Sequence, residues 1–162
     1  MRIFPTTLIA LCATTSALAQ ELGNMWGTAN AEAKHYRVID LPLPIDPQLE
    51  VGSFCALPNG KLAIGTRRGE ILIVSGAFEP LPKPTIHRFA SGLDEILGLG
   101  HKDGVFYATQ QTEVTAIADK NGDGRGDSFT CLSDAWGFGH YHEFAWGSPV
   151  QPDGSVYVAL GL

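Results

Sequence analysis

The sequence predicts an all-β chain, and three observations carry that prediction. Short runs rich in Val, Ile, Phe and Tyr alternate with glycine and proline punctuation. Nothing after residue 35 sustains a helical period of apolar residues. An Asn-Gly or Asp-Gly hairpin signal also recurs three times, with its glycines at 60, 104 and 154.

The first residues stand apart from this pattern. Arg2 precedes an apolar run, Ile3 to Ala13, that is too short to span a bilayer, and Ala17-Leu18-Ala19 forms an A-x-A cleavage signature. Residues 1–19 are therefore expected to be a signal peptide, and the mature chain to be periplasmic or secreted. Residues 20–35 are small and polar and read as a flexible leader. No later apolar run approaches membrane-span length. The net charge of −6 becomes about −7 without Arg2, which argues against nucleic acid or an anionic lipid surface as partner. Cys55 and Cys131 remain in the mature chain, and two buried thiols are expected rather than a bridge.

Eleven strands are expected along the rest. They are 36–41, 52–57, 61–66, 70–75, 85–90, 96–101, 105–110, 113–118, 128–132, 143–150 and 155–160. Self-comparison groups them. Leu57-Pro58-Asn59-Gly60-Lys61-Leu62-Ala63-Ile64 is echoed by His101-Lys102-Asp103-Gly104-Val105-Phe106-Tyr107-Ala108, and again by Gln151-Pro152-Asp153-Gly154-Ser155-Val156-Tyr157-Val158. The turn glycines lie 44 and 50 residues apart. A four-stranded blade of a β-propeller repeats every 40 to 50 residues or so. The expected fold is thus an incomplete β-propeller within 36–162: blades at 51–90 and 95–133, a truncated third at 143–162, and Tyr36–Leu41 as a lone closing strand. Propellers close with about four to eight blades, so the remaining blades are expected to be missing from this chain. A β-sandwich with coincidental hairpins is the competing reading.

The most specific motif is Asp119-Lys120-Asn121-Gly122-Asp123-Gly124-Arg125-Gly126-Asp127. Oxygen-bearing side chains fall at positions one, three, five and nine, with a glycine at six for the sharp turn, as in the calcium loops of EF-hand or dockerin type. Asp119, Asn121, Asp123 and Asp127, with the Arg125 carbonyl, are the expected ligands of a structural calcium. Thr130 stands where such loops place a bidentate Glu. The other reading is a charged surface hairpin. In a blade this loop would join the third and fourth strands, on the same end as the Asp-Gly turns.

The opposite end would collect Arg67-Arg68-Gly69, Gln110-Gln111, residues 91–95 and the long crossover Ala135-Trp136-Gly137-Phe138-Gly139-His140-Tyr141-His142-Glu143-Phe144. Aromatic rings stack on sugar faces, and a neutral imidazole accepts a hydroxyl proton near pH 7. Arg67, Gln110, Trp136 and Tyr141 are the expected substrate contacts. Here the chain resembles the glucose/sorbosone dehydrogenase family of quinoproteins, on His142 followed by Pro152-Asp153-Gly154 and a strand ending in Gly161. From Gly92-Leu93 to Trp136-Gly137-Phe138 it looks like large secreted propellers of planctomycete type, described as membrane-bound or sorbosone-type dehydrogenases. The resemblance implies a six-bladed propeller using calcium and pyrroloquinoline quinone, a sugar or alcohol substrate, and His142 as general base. It also implies that the quinone-binding residues lie in later blades, so this piece alone would not turn over.

Bland readings stand beside these. Trp136, Phe138 and Trp146 would also serve as filling between blades, and Arg67 and Arg68 as an ordinary solvated turn. His140-x-His142 with Glu143 offers a weak metal pair. His35, His87 and His101 read as surface or packing residues. The competing functions are a non-catalytic carbohydrate- or protein-binding module and a calcium-dependent propeller lactonase.

Overall fold

The structure is a computed structural model that describes residues 34–35, 41, 49–79, 82–137, 139–140 and 143–161. The expected signal peptide, most of the expected leader, the expected closing strand at 36–41 apart from Leu41, and the residues Phe138, Tyr141 and His142 lie outside the described residues. Two units divide the chain at Asp40, and all that follows concerns Leu41–Leu162.

Ten strands and no helix make up this unit among the described residues. β1 (Val51–Ala56), β2 (Leu62–Thr66), β3 (Ile71–Ser75) and β4 (Thr85–Ala90) form one sheet, and β5 (Gly98–Lys102), β6 (Val105–Thr109), β7 (Val114–Ala118) and β8 (Ser128–Ser133) a second. β9 (Ala145–Val150) and β10 (Val156–Leu160) form a two-stranded third. Every pairing is antiparallel and follows chain order. The expected strands from 52 onward are all present, with ends shifted by up to two residues. Among the described residues no helix is long and apolar enough to cross a membrane.

The sheets stack in sequence. β5 lies against β1 and β2, and β9 against β5 and β6. Between the first two sheets sits the main core, with Ala63, Ile71, Phe89 and Ala90 on one side and Leu99, Phe106, Ala108 and Ile117 on the other. Ile96, in the crossover, is fully buried there and ties the sheets together by donating its N–H to the Thr66 carbonyl at 3.2 Å. The other face of the first sheet packs Ile64, Leu72 and Val74 with Leu41 and Leu49. Period-two alternation explains why one strand feeds two cores.

Glycines set how near the first strands approach. A Cβ on Gly98 would overlap the Gly147 carbonyl, and one on Gly100 would overlap that of Ser148. Beside them Thr109 and Ser148, both fully buried, share a short hydroxyl–hydroxyl hydrogen bond across the second and third sheets. Thr109→Val should therefore cost about 1–3 kcal/mol by stranding the Ser148 hydroxyl, whereas the Thr109→Val/Ser148→Ala double variant recovers much of the loss. Urea midpoints of the three variants measure that cycle.

The three hairpins are not alike. Lys102 pairs with Val105 around Asp103 (φ 51°) and Gly104 (φ 82°), the tight two-residue turn with both angles positive. The other two are three-residue loops closed by Leu57 N–H to Lys61 O and by Gln151 N–H to Ser155 O, each 2.8 Å. Pro58 and Pro152 cause the difference: each stands where Lys102 flanks the tight turn and lacks the N–H that would pair across it, so the loop closes one residue further out and only Gly60 and Gly154 turn positive. Lys102 Nζ donates to Gln151 O (3.2 Å) and Pro152 O (2.6 Å), joining one turn to the next.

Both cysteines are free, as expected. Their burial is corrected: Cys55 is only half-buried, and Cys131 is exposed because β8 is the outer strand of its sheet.

Candidate functional site

Strand direction gathers the turns into two ends. The β2–β3 turn, the β6–β7 turn and the crossovers at 91–97 and 134–144 share one end, since Ile71 pairs with Ala90 and Val114 with Ser133 beside them. Hydrogen bonds join them: Leu93 N–H to Gly69 O at 3.1 Å, Asp94 N–H to Gln110 Oε1 at 2.6 Å, and the Trp136 indole N–H to Gln111 O at 2.9 Å. A hollow of about 370 Å³ lies there, lined by Ser91, Gly92, Leu93, Gln110, Glu113, Thr115 and Phe129.

Of the expected contacts at this end, Arg67, Gln110 and Trp136 are engaged within the protein itself. Arg67 is half exposed, but its guanidinium meets Glu95 Oε1 at 2.5 Å, and that carboxylate raises it above its ordinary pKa. Arg68 pairs with Glu50 at 3.3 Å. Gln110, expected on the surface, is 6% exposed. Its carbonyl oxygen holds the Asp94 amide, and its NH₂ donates to Glu113 (3.0 Å) and Thr115 (2.6 Å). Gln110 is thus the tie between crossover and turn. Glu143 curls the second crossover: its Oε2 accepts the amides of Gly139 (3.1 Å) and His140 (3.2 Å), and its own N–H donates to His140 O (2.9 Å). Tyr141 and His142 fall in this loop but outside the described residues.

A quinone bearing several carboxylates needs unpaired cations, and Arg67 and Arg68 are both committed. Neither guanidinium is free to hold that cofactor.

The opposite end carries the three hairpins and the 119–127 loop, which joins β7 to β8. Asp119 accepts the amides of Gly122 (2.7 Å) and Gly124 (2.8 Å) on its two carboxylate oxygens. Asn121 accepts from Asp123 N–H and Asp123 from Arg125 N–H, both at 2.8 Å, and Asp127 from Lys120 N–H at 2.8 Å. Gly122 and Gly124 adopt φ of 77° and 87°, which closes the curl. Among the described residues no three His, Cys, Asp or Glu side chains converge as a metal cluster. The donor set is mixed, however, adding the Asn121 carboxamide and the Arg125 carbonyl to the acids. Hard oxygen donors on a curled backbone fit calcium chemistry.

A cleft of about 590 Å³ runs beside this loop between the first two sheets, bordered by Lys61, His87, Phe89, His101, Phe106 and Asp119. The His101 ring lies 4.8 Å from that of Phe106, and burial lowers its pKa while Asp103 pulls it up. The fold therefore favours neutral His101. Stability from this group is complete above an unfolded pKa of about 6.5 and is lost as pH falls through that value towards the lower folded one. Comparing urea midpoints at pH 7 and pH 5, His101→Gln should show a smaller acid loss than the parent.

The strand reading placed both ends correctly, because alternating direction follows from counting strands. It could not show that Gln110 points inward to hold the crossover, nor that His87 meets the calcium-type loop of the next sheet, since both contacts join segments far apart in the chain. Comparison with family models, with curated proteins and with solved structures returned no match.

Proposed function

We propose that this chain is part of an exported β-propeller of quinoprotein-like dehydrogenase type, acting on a sugar or alcohol at the crossover end. One observation carries the reading: two four-stranded meanders and a two-stranded third sheet stack in chain order, β1 against β5 and β5 against β9, with both crossovers at one end and the calcium-type loop at the other. Trp136 is held at that end, and Glu143 closes the crossover that contains Tyr141 and His142. The proposed work of His142 is to take the substrate hydroxyl proton. Pyrroloquinoline quinone, as hydride acceptor, rests on the resemblance alone, and calcium on the 119–127 loop.

The test is reconstitution of the intact secreted protein with calcium and pyrroloquinoline quinone, followed by dye reduction with a panel of aldoses and alcohols. Turnover that His142→Ala abolishes supports the reading; no turnover with any substrate removes the enzyme. A specific observation favours a second reading in that event. Arg67 and Gln110 are engaged within the protein, so the crossover end suits a carbohydrate- or protein-binding surface presented by a rigid scaffold.

A further inference from the structure

The 119–127 loop does not stand alone: β4, in the preceding sheet, grips it at two consecutive peptide groups. His87 Nε2 lies 2.7 Å from the Gly124 carbonyl oxygen, and since that oxygen can only accept, the ring nitrogen carries the proton. The Gly126 N–H donates to the Phe89 carbonyl at 2.8 Å. These anchors flank Arg125, whose carbonyl is the backbone ligand in the calcium reading.

Peptide planarity turns the anchors into an aiming device. In a trans peptide the N–H and C=O point in opposite directions. Because the Gly126 N–H is directed at β4, the Arg125 carbonyl of the same plane is directed away from it. Because the Gly124 carbonyl is directed at His87, the Arg125 N–H faces back into the loop, where it meets Asp123 Oδ1 at 2.8 Å. Gly126 permits the close fit: a Cβ there would meet Ile117 Cγ2 at 2.6 Å and Phe89 Cε1 at 3.2 Å.

We infer that β4 is the template for cation binding by the loop, with His87 a positioning residue that is not itself a ligand, and that occupancy of the loop is coupled to the docking of the first sheet on the second. This rests on the calcium reading of 119–127. Coupling is reciprocal, so docking tightens calcium binding by the factor with which calcium tightens docking.

Calcium titration calorimetry and thermal unfolding of the intact protein test the inference. His87 is exposed, and His87→Ala should leave the fold in place while weakening calcium binding about three- to tenfold, the worth of one hydrogen bond. His87→Gln, whose carboxamide N–H still reaches a carbonyl, should recover part of that loss. Gly126→Ala, which keeps every oxygen donor, should weaken binding as well and shrink the calcium-induced rise in Tm. Parent-like affinity in both His87→Ala and Gly126→Ala would overturn the inference while leaving calcium in the loop. No heat and no calcium-dependent Tm in the parent would overturn both together.

Discussion

Gly98→Ala is expected to be among the most damaging single-methyl changes in the described part of the chain, lowering stability by about 3 kcal/mol or more. The added carbon would overlap the backbone carbonyl of Gly147, not a side chain that could rotate aside. Relief requires moving β9 off β5, which opens the adjoining Thr109–Ser148 hydrogen bond and uncovers Ala145, now 1% exposed. Overpacking of cores costs about 1–3 kcal/mol when side chains can adjust, and backbone against backbone lies above that range. Urea unfolding measures the loss. A midpoint within a few tenths molar of the parent would mean that the third sheet is not seated on the second as described. Gly104→Ala is the control, because its Cβ would meet nothing within 4 Å, although its φ of 82° still carries a modest strain.

The second large effect concerns calcium. Saturating calcium should raise the Tm of the parent by several degrees, and Asp119→Ala should remove that rise. A ligand at about a hundred times its Kd adds about 2.7 kcal/mol, which for a unit of this size corresponds to several degrees. Asp119 is decisive because it has two duties: it stands at the first ligand position, and its two oxygens hold the amides that curl the loop. Asp119→Ala should also lower the calcium-free Tm, since charge-assisted hydrogen bonds are lost. Asp119→Asn separates the duties by keeping one carbonyl acceptor while removing the charge. Thermal scans with calcium and with chelator distinguish them, and an unchanged Tm on chelation of the parent would remove the structural cation.

Most of the fold could be read from the chain because its signals are local. Gly60, Gly104 and Gly154 mark turns by backbone freedom, and the strands around them are short runs of residues suited to a pleated, half-buried surface. The difference among the hairpins is local too: Pro58 and Pro152 mark the longer loop, although all three turns share an Asn-Gly or Asp-Gly pair. Burial was read less well. Cys131 looks like a core thiol by residue type, yet its strand is the outermost of four, and nothing in the surrounding residues conveys that.

By itself the sequence determined the strand order, the pairing of neighbours and the division of turns between two ends, because each depends on residues adjacent along the chain. The tertiary structure alone decided that Gln110 is a buried tie, that Arg67 is held by Glu95, and that His87 grips a loop on another sheet. Those pairings span 16, 28 and 37 residues. They arise from how twisted sheets stack, a geometry that no periodicity within one strand encodes.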